Sequence, residues 1–186
     1  MMIEEKKKSN FEIYYREYAQ KLYGVALRMV NNHQDALDIV QECFLKAYQK
    51  WEKFRGDATV STWLYRITVN LSYDLLRKKT KEKKVEMSEN FIIPDKRKWR
   101  GEKEIFNQDI VEKIKSEIDK LTPKQKSIFI LKTYEGLTYK EIADILHSRI
   151  GTVKATYFQT IQKIKKNLLK EEVVKNELQK SKKLNA

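Results

Sequence analysis

The chain has little of the residues that build disulfides, metal sites and tight turns. Its single cysteine, Cys43, excludes an intrachain disulfide, and two scattered histidines add no recognisable zinc set. Five glycines and two prolines leave little room for a turn-rich β architecture. We therefore expect an all-α protein in a reducing, cytoplasmic setting, with Cys43 as a small core residue and with neither a metal nor a cofactor.

Long apolar runs are missing as well. The run Ile128–Leu131 is far short of the roughly 20 apolar residues that cross a bilayer. Residues 1–10 are charged and contain no apolar signal-peptide segment, so we expect neither secretion nor membrane insertion. No Gly-rich phosphate loop, pair of catalytic carboxylates or nucleophile–base arrangement is recognisable, and we do not expect an enzyme.

Positive charge is what the chain has in excess. Lys and Arg number 39 against 26 Asp and Glu, which gives a net charge of +13 at pH 7. This balance predicts a polyanionic partner, either nucleic acid or an anionic membrane surface, and the short apolar runs disfavour the membrane. With 186 residues, of which 41% are hydrophobic, the chain can form one ordinary domain or two small ones.

The first half carries apolar residues at helical spacing in three segments. A break at residues 31–33 ends the first helix, and Asp35 opens the second. The third helix is predicted over residues 62–79, with Thr59 or Ser61 as its N-cap. Because three amphipathic helices can bury their apolar stripes only against each other, this half predicts a compact helix bundle.

One face of the third helix mixes aromatic residues with Arg and Asn, a combination that suits unstacked bases and a phosphate backbone. Its residues are Trp63, Arg66, Asn70, Tyr73, Asp74 and Arg77. In a purely structural alternative, Asp74 simply pairs with Arg77 or Lys78, one turn along the helix.

The helical pattern lapses after this segment and then resumes. Charges cluster here, and Pro94 interrupts the apolar patch Phe91–Ile93, which together with Trp99 suggests that parts of the segment dock on a partner. We expect a flexible linker between two small helical domains. The predicted boundaries are 1–80 for the first domain, 81–104 for the linker, 105–172 for the second domain and 173–186 for a charged tail.

The second half carries the signals of a helix-turn-helix. Thr122, Pro123 and Gln125 form a capping-box sequence, and that helix is predicted to stop at Gly136. A second capping-box sequence over 138–141 opens a short helix, and the turn at 147–149 leads into a long one. A helix-turn-helix in so basic a chain predicts binding to duplex DNA.

The last helix presents a polar face opposite its apolar stripe. On this face lie Thr152, Ala155, Gln159, Gln162, Lys163 and Lys166. In a major groove, Gln159 suits adenine, and Thr152 or Lys163 suits a phosphate. The alternative is an ordinary solvated helix face.

Residues Asp35–Tyr48 closely resemble the signature helix of the extracytoplasmic-function (ECF) group of sigma factors in the sigma-70 family. The resemblance implies that this helix binds core RNA polymerase at the clamp helices of its β′ subunit, and that the β flap is a further contact. The polymerase-binding positions that it implies are Asp35, Asp38, Gln41, Glu42 and Phe44.

Residues Phe54–Leu64 resemble the loop and helix start with which this family captures a flipped, single-stranded base of the minus-ten promoter element. The pattern of Asn70, Asp74, Arg77 and Lys78 matches the family at the end of that helix. Together these matches imply the following minus-ten set: Phe54, Arg55, Gly56, Asp57, Ser61, Trp63, Arg66, Asn70, Tyr73, Asp74, Arg77 and Lys78.

The segment from Leu121 to Lys154 resembles the family's second domain, which reads the minus-thirty-five element as duplex. The implied set is Arg149, Thr152, Lys154, Ala155, Thr156, Gln159 and Lys163. This chain departs from the family in its turn, where Ser148 is expected as the helix cap. It also lacks arginines after Lys154, so we expect recognition through Gln, Thr and phosphate contacts without bidentate guanine readout.

The resemblance implies a bacterial transcription initiation factor that binds core polymerase, directs it to promoters and assists melting. Its implied partners are core RNA polymerase and promoter DNA, duplex and single-stranded, with an anti-sigma factor as a further partner common in the family. The implied location is the cytoplasm, at the nucleoid with the polymerase. Two alternatives stay open: a stand-alone helix-turn-helix regulator, and a helical interaction protein whose charge only keeps it soluble.

Overall fold

The computed structural model describes the backbone of residues 2–51, 54, 56, 58–86 and 108–184, and side chains within 11–82 and 112–170 of those ranges. Every regular element in the described ranges is an α-helix, as the sequence predicts. The helices are α1 (Met2–Val30), α2 (His33–Lys50), α3 (Val60–Glu86), α4 (Gln108–Asp119), α5 (Pro123–Thr133), α6 (Tyr139–Ile145) and α7 (Ile150–Leu184). None of them is long and apolar enough to cross a bilayer.

Helices α1, α2 and α3 pack on one another to form the first unit. α2 contributes a stripe of small residues, and Ala36, Cys43 and Ala47 are each fully buried. Small side chains let neighbouring helix backbones approach closely, and the backbone carbonyl of Leu64 on α3 accepts a hydrogen bond from Cys43 Sγ at 3.6 Å. Cys43 is therefore the small core residue that the sequence predicts.

The second helix begins earlier than its acidic residues suggest. Asn32 is the N-cap, and its side chain accepts a hydrogen bond from the backbone N–H of Asp35. The helix therefore starts at His33, and Asp35 lies in its first turn, where its carboxylate pairs with the ammonium group of Lys79 at the far end of α3. Asn31, in the left-handed conformation with φ 55°, makes the turn out of α1.

The third helix extends beyond its predicted bounds at both ends. Thr59 is its cap, as one alternative predicts, and its Oγ1 accepts a hydrogen bond from Thr62 N at 3.2 Å. The helix continues past Lys79 to Glu86, because Lys and Glu favour helix even where the apolar stripe has ended. α3 thus continues six residues into the segment predicted as linker, from 81 to 86. The remainder of that segment, with Phe91–Ile93, Pro94 and Trp99, lies outside the described residues.

Helices α4 to α7 form the second unit, and both predicted capping boxes are present, at Thr122 with Gln125 and at Thr138 with Glu141. α5 ends at Thr133, and Gly136 follows with φ 67° in the left-handed region.

The turn between α6 and α7 differs from the expectation. His147 has φ 46° and Ser148 N–H donates back to Ala143, which closes α6. The cap position of α7 therefore falls on Arg149, one residue later than the predicted Ser148.

The two units contact each other directly. The end of α1 packs against α5, and α3 packs against both α5 and α6. The sequence predicts two domains joined by a flexible linker and gives no sign of this contact. It forms because polar and aromatic side chains that extend outward from α3 find hydrogen-bond partners on the second unit.

We predict that Thr138→Ala lowers the free energy of unfolding by about 1 kcal/mol at neutral pH, the usual loss for an N-cap. Hydrogen bonds from the Thr138 side chain and backbone lower the pKa of Glu141. The stability that this carboxylate contributes is present above its unfolded pKa and is lost as the pH falls through the lowered folded pKa. The effect of Thr138→Ala should therefore shrink on acidification.

Urea unfolding of the wild type and the variant, at about pH 7 and about pH 3, measures this. Lys140→Ala, at an exposed position of the same short helix, is the control and should change stability by less than about 0.5 kcal/mol. A loss in Thr138→Ala that is equal at both pH values would contradict the role of the Glu141 carboxylate.

Candidate nucleic-acid interface

An apolar groove lies along the outside of the first unit, between α1 and α2, with a volume of about 840 Å³. Its α2 wall carries three large apolar side chains that remain exposed: Leu37 at 43%, Leu45 at 51% and Tyr48 at 42%. Beside them lie Asp38, Gln41 and Glu42 of the predicted set, all exposed. α2 thus presents a solvent-facing strip in which an apolar ridge is bordered by polar and acidic groups.

Two residues of the predicted polymerase-binding set are not part of this exposed strip. Phe44 is only 5% exposed, and its ring packs 4.8 Å from that of Tyr15 and 5.9 Å from that of Phe11. The carboxylate of Asp35 forms an ion pair with the ammonium group of Lys79. Phe44 therefore serves the α1–α2 packing, and its neighbour Leu45, about 100° further around the helix, extends outward in its place.

The predicted set does not include Leu37, Leu45 or Tyr48, and the helical spacing placed Tyr48 with the apolar stripe of α2, whereas it is 42% exposed. For Leu37 and Leu45 a signal was available, because both fall outside that stripe. Exposed apolar residues grouped in this way mark an interaction surface more often than scattered ones do.

Aromatic rings stack where α2 leads into α3. Phe54 stacks on Trp63 with ring centroids 4.8 Å apart and planes 27° apart. Trp51 stacks on Phe54 at 6.2 Å and 19° and lies 6.3 Å from Trp63, so the three rings form one cluster. All three rings are half-buried. Gly56, exposed between them in the chain, has φ 76°, a conformation that favours glycine. The predicted Arg55 and Asp57 lie outside the described residues.

Hydroxyl groups surround the start of α3 next to this stack. Thr59 Oγ1 lies 2.9 Å from both Ser61 Oγ and Thr62 Oγ1. Ser61, a residue of the predicted set, is half-buried and takes part in this network. The hydroxyls fix the first turn of α3, and with it the position of the Trp63 ring.

One face of α3 carries Trp63, Arg66, Asn70, Tyr73 and Arg77, at alternating spacings of three and four residues. Asn70 is exposed near the middle of this face, as are Arg77 and the neighbouring residues Asp74 and Lys78. Asp74 accepts a hydrogen bond from Arg77 at 2.9 Å, which is the pairing foreseen in the structural alternative. An exposed pair of this kind adds little stability and leaves both side chains available to a ligand.

The other two members of this face reach the second unit. Arg66 Nη2 donates to the backbone carbonyl of Asp144 at 2.7 Å, and the Tyr73 hydroxyl lies 2.6 Å from Ser127 Oγ. Burial raises the pKa of Tyr73, so the phenol stays protonated at neutral pH. The structure therefore divides the predicted face into an exposed part around Asn70 and a part covered by α5 and α6.

The start of α7 presents the third surface. Six of the seven residues predicted there are exposed, and Thr156 is half-buried. The exposed six are Arg149, Thr152, Lys154, Ala155, Gln159 and Lys163. Val153 is fully buried against the preceding helices, which orients this face outward.

Phe158 was missed on this surface. Its side chain is 64% exposed and lies among the outward residues of α7, between Ala155 and Gln162 in helical register. Sequence reasoning passed over it because a phenylalanine in a helix is ordinarily counted with the core. Its position off the apolar stripe was the available signal.

Comparison with known proteins identifies the family to which the chain belongs. Residues 14–82 match the family described as Sigma-70 region 2, and residues 112–164 match Sigma-70, region 4. The first match falls within the first unit, and the second match falls within the second unit.

Individual relatives agree with the two matches. The RNA polymerase sigma-H factor of Pseudomonas aeruginosa is 30% identical over 168 residues, which are 87% of this chain and 87% of the relative. The ECF RNA polymerase sigma factor SigW of Bacillus subtilis is 32% identical over 158 residues, covering 81% of this chain and 84% of the relative.

A solved structure shares the fold. The sigma factor RpoE from Bartonella quintana, in a complex with the anti-sigma factor NepR, superposes with a TM-score of 0.71 over 86% of this chain and 96% of that one, at 23% identity. The chain belongs to the sigma-70 family of transcription initiation factors and, within that family, to the ECF group of RNA polymerase sigma factors.

Proposed function

We propose that this sigma factor uses three separate surfaces: the outer strip of α2 for core polymerase, the face of α3 for the unpaired minus-ten strand, and the start of α7 for the minus-thirty-five duplex. The exposed apolar groove at α2 is the observation that carries the proposal. A stand-alone helix-turn-helix regulator needs no such groove remote from its DNA-reading helix, so the groove favours delivery by polymerase.

On α2, the apolar ridge supplies most of the docking energy. Leu37, Leu45 and Tyr48 are already exposed, so burying them against a partner removes apolar area from water without unfolding anything. Asp38 and Glu42 border the ridge and supply negative charge, which selects a basic partner surface and fixes the register of docking. Phe44 acts indirectly in this proposal, by holding α2 against α1.

On α3, the stacked rings of Phe54 and Trp63 form a platform about two helical turns before Asn70, on the same face. A base taken out of the duplex loses its stacking on neighbours, and an aromatic platform restores about 1–3 kcal/mol of it. The Asn70 amide offers both a donor and an acceptor to a base edge. Arg77 and Lys78, further along the helix, are placed to contact the phosphates.

On α7, the outward residues suit an A·T-rich contact. Gln159 can pair with both the acceptor and the donor of an adenine edge, and Phe158 can pack on a thymine methyl group. Thr152, Lys154 and Lys163 surround them as phosphate contacts. No arginine follows in the helix, so bidentate guanine readout is not expected of this face.

In this proposal the protein has no catalytic chemistry of its own and works in the cytoplasm on nucleoid DNA, where the polymerase supplies the reaction. An anti-sigma factor is a further proposed partner, supported by the complex in which the Bartonella quintana relative was solved.

Run-off transcription with core polymerase on a genomic promoter library tests the proposal. We expect specific transcripts only when the protein is present. The double variant Leu37→Ala/Leu45→Ala should weaken binding to core at least tenfold, since two buried leucine side chains are lost. Leu169→Ala, a leucine of equal exposure on α7, is the matched control and should bind core normally. Specific duplex binding without any polymerase-dependent transcript would favour the stand-alone regulator instead.

The α3 assignment predicts a defect in melting without a defect in docking. Trp63→Ala and Asn70→Ala should each reduce open-complex formation by about fivefold or more, measured by permanganate reactivity of unpaired thymines, because each loses about 1–3 kcal/mol of contact with an unpaired base. Their affinity for core polymerase should stay within twofold of the wild type. Gln49→Ala, at an exposed position on α2, is the control. Normal melting by both variants with core bound would remove α3 from the mechanism.

The α7 assignment predicts a change in promoter choice. Gln159→Ala and Phe158→Ala should each weaken binding to the upstream duplex by about 1–3 kcal/mol at a matched sequence, and by less at a mismatched one. Lys170→Ala, further along the same helix, should weaken matched and mismatched duplexes alike. Competition binding of holoenzyme to duplexes with single base changes measures this at one fixed salt concentration. Unchanged sequence preference in both variants would exclude these two side chains from the readout.

A further inference from the structure

The ring of Trp51 lies where the three helices of the first unit meet. Trp51 is the C-cap residue of α2, and its half-buried ring contacts four other rings. Two of them belong to α1: the ring centroid of Tyr14 is 5.3 Å away and that of Phe11 is 5.9 Å away. The other two are the rings of the proposed base platform, Phe54 at 6.2 Å and Trp63 at 6.3 Å. All four separations are typical of favourable aromatic pairs. Trp51 therefore fills the space between α1 and the platform.

Phe54 is held by Trp51 in two ways. It lies between α2 and α3, outside both helices. Its backbone N–H donates to the carbonyl of Trp51 at 3.2 Å, and its ring stacks on the indole of Trp51 with the planes 19° apart. Because Phe54 is not part of a helix, these contacts and its stacking on Trp63 determine where its ring lies.

Trp63 has support of its own. It lies in the first turn of α3, and its backbone N–H donates to the carbonyl of Thr59 at 3.1 Å. The Thr59 hydroxyl also caps this turn, by accepting a hydrogen bond from the backbone N–H of Thr62. A change at Trp51 should therefore displace Phe54 more than Trp63.

Trp51 is separate from the surface that is proposed to dock on polymerase. It does not line the groove between α1 and α2. The nearer of the two exposed leucines of that surface, Leu45, precedes Trp51 by six positions, or about 9 Å along the helix. Substitutions at Trp51 can therefore change the platform and leave the docking ridge in place.

We propose that Trp51 is a positioning residue for the unpaired minus-ten strand: it keeps the Phe54 ring stacked on Trp63 before a base arrives, and it does not contact the base itself. A ring that is already ordered does not have to be immobilised at the moment of binding, so less of the contact energy is lost to ordering. The inference rests on the proposed role of the platform, and it adds a residue that lies outside the predicted minus-ten set.

Three variants separate positioning from a general effect on stability. Trp51→Leu removes the ring but keeps an apolar side chain and the backbone carbonyl that Phe54 uses. Trp51→Phe keeps an aromatic ring at the same place. Val25→Ala is the control, because it creates a cavity in the same unit at a fully buried position, 11 residues beyond Tyr14 on α1.

The measurements are made on holoenzyme formed with saturating core polymerase. Its affinity for a labelled single-stranded oligonucleotide is followed by fluorescence anisotropy, with the minus-ten strand of a promoter found by run-off transcription. Affinity for core and urea unfolding of the free chain are measured for each variant alongside.

Trp51→Leu should lower the affinity for the single strand by about threefold to tenfold, because the Phe54 ring then has to be ordered on binding. Trp51→Phe should restore it to within about twofold of the wild type, and Val25→Ala should stay within the same limit despite its lower stability. Affinity for core should be unchanged in all three. In a Phe54→Ala background, Trp51→Leu should have no further effect, because the ring that it positions is gone.

Three results would each overturn the positioning role: no loss in Trp51→Leu, an equal loss in Val25→Ala, or a full effect of Trp51→Leu on top of Phe54→Ala. Failure of the platform itself is recognised separately. In that case Phe54→Ala and Trp63→Ala would both hold the single strand as the wild type does.

Discussion

The close approach of α2 to both of its neighbours is the constraint on which the other features of the first unit depend. Ala36, Cys43 and Ala47 are fully buried, so α2 packs closely on both α1 and α3 and turns its remaining side to solvent. That side carries the apolar ridge and the acidic groups. The same packing sets the rotation of α3, because Cys43 and Thr68 bond to each other and to the carbonyl of Leu64. A larger residue at these positions would separate the helices and displace both surfaces together.

Local signals in the sequence predict much of this fold. The capping boxes at Thr122 and Thr138, and the cap at Thr59, depend only on residues within one turn, so they can be read directly from the sequence. The position of Phe44 cannot, because one step along α2 separates a buried side chain from an exposed one, and the choice depends on packing against α1. The contact between the units is also invisible in the sequence, since the residues to which α3 is hydrogen-bonded on the second unit lie 54 to 78 positions away in the chain.

The start of α7 shows which features the family resemblance predicts and which it does not. Helical spacing predicts the helix and its outward face, and the resemblance implies a set of seven residues there, six of which are exposed. The resemblance did not predict a role for Phe158. Its side chain is 64% exposed, on a surface otherwise made of polar and small residues. In the proposed duplex contact, an apolar group in that position adds packing on thymine methyl groups, which contributes no salt dependence of its own.

The ion pair between Asp35 and Lys79 has a mechanical consequence. It joins the first turn of α2 to the far part of α3, and Cys43 joins the middle of α2 to the early part of α3, so the two helices are held together at two separate points. Two contacts at separate points restrict the movement of α3 relative to α2 more than one contact does. A partner that fixes the position of α2 therefore also restricts the orientation of α3. A partner bound at the α2 surface thus also positions the α3 surface, without any change of shape within the first unit.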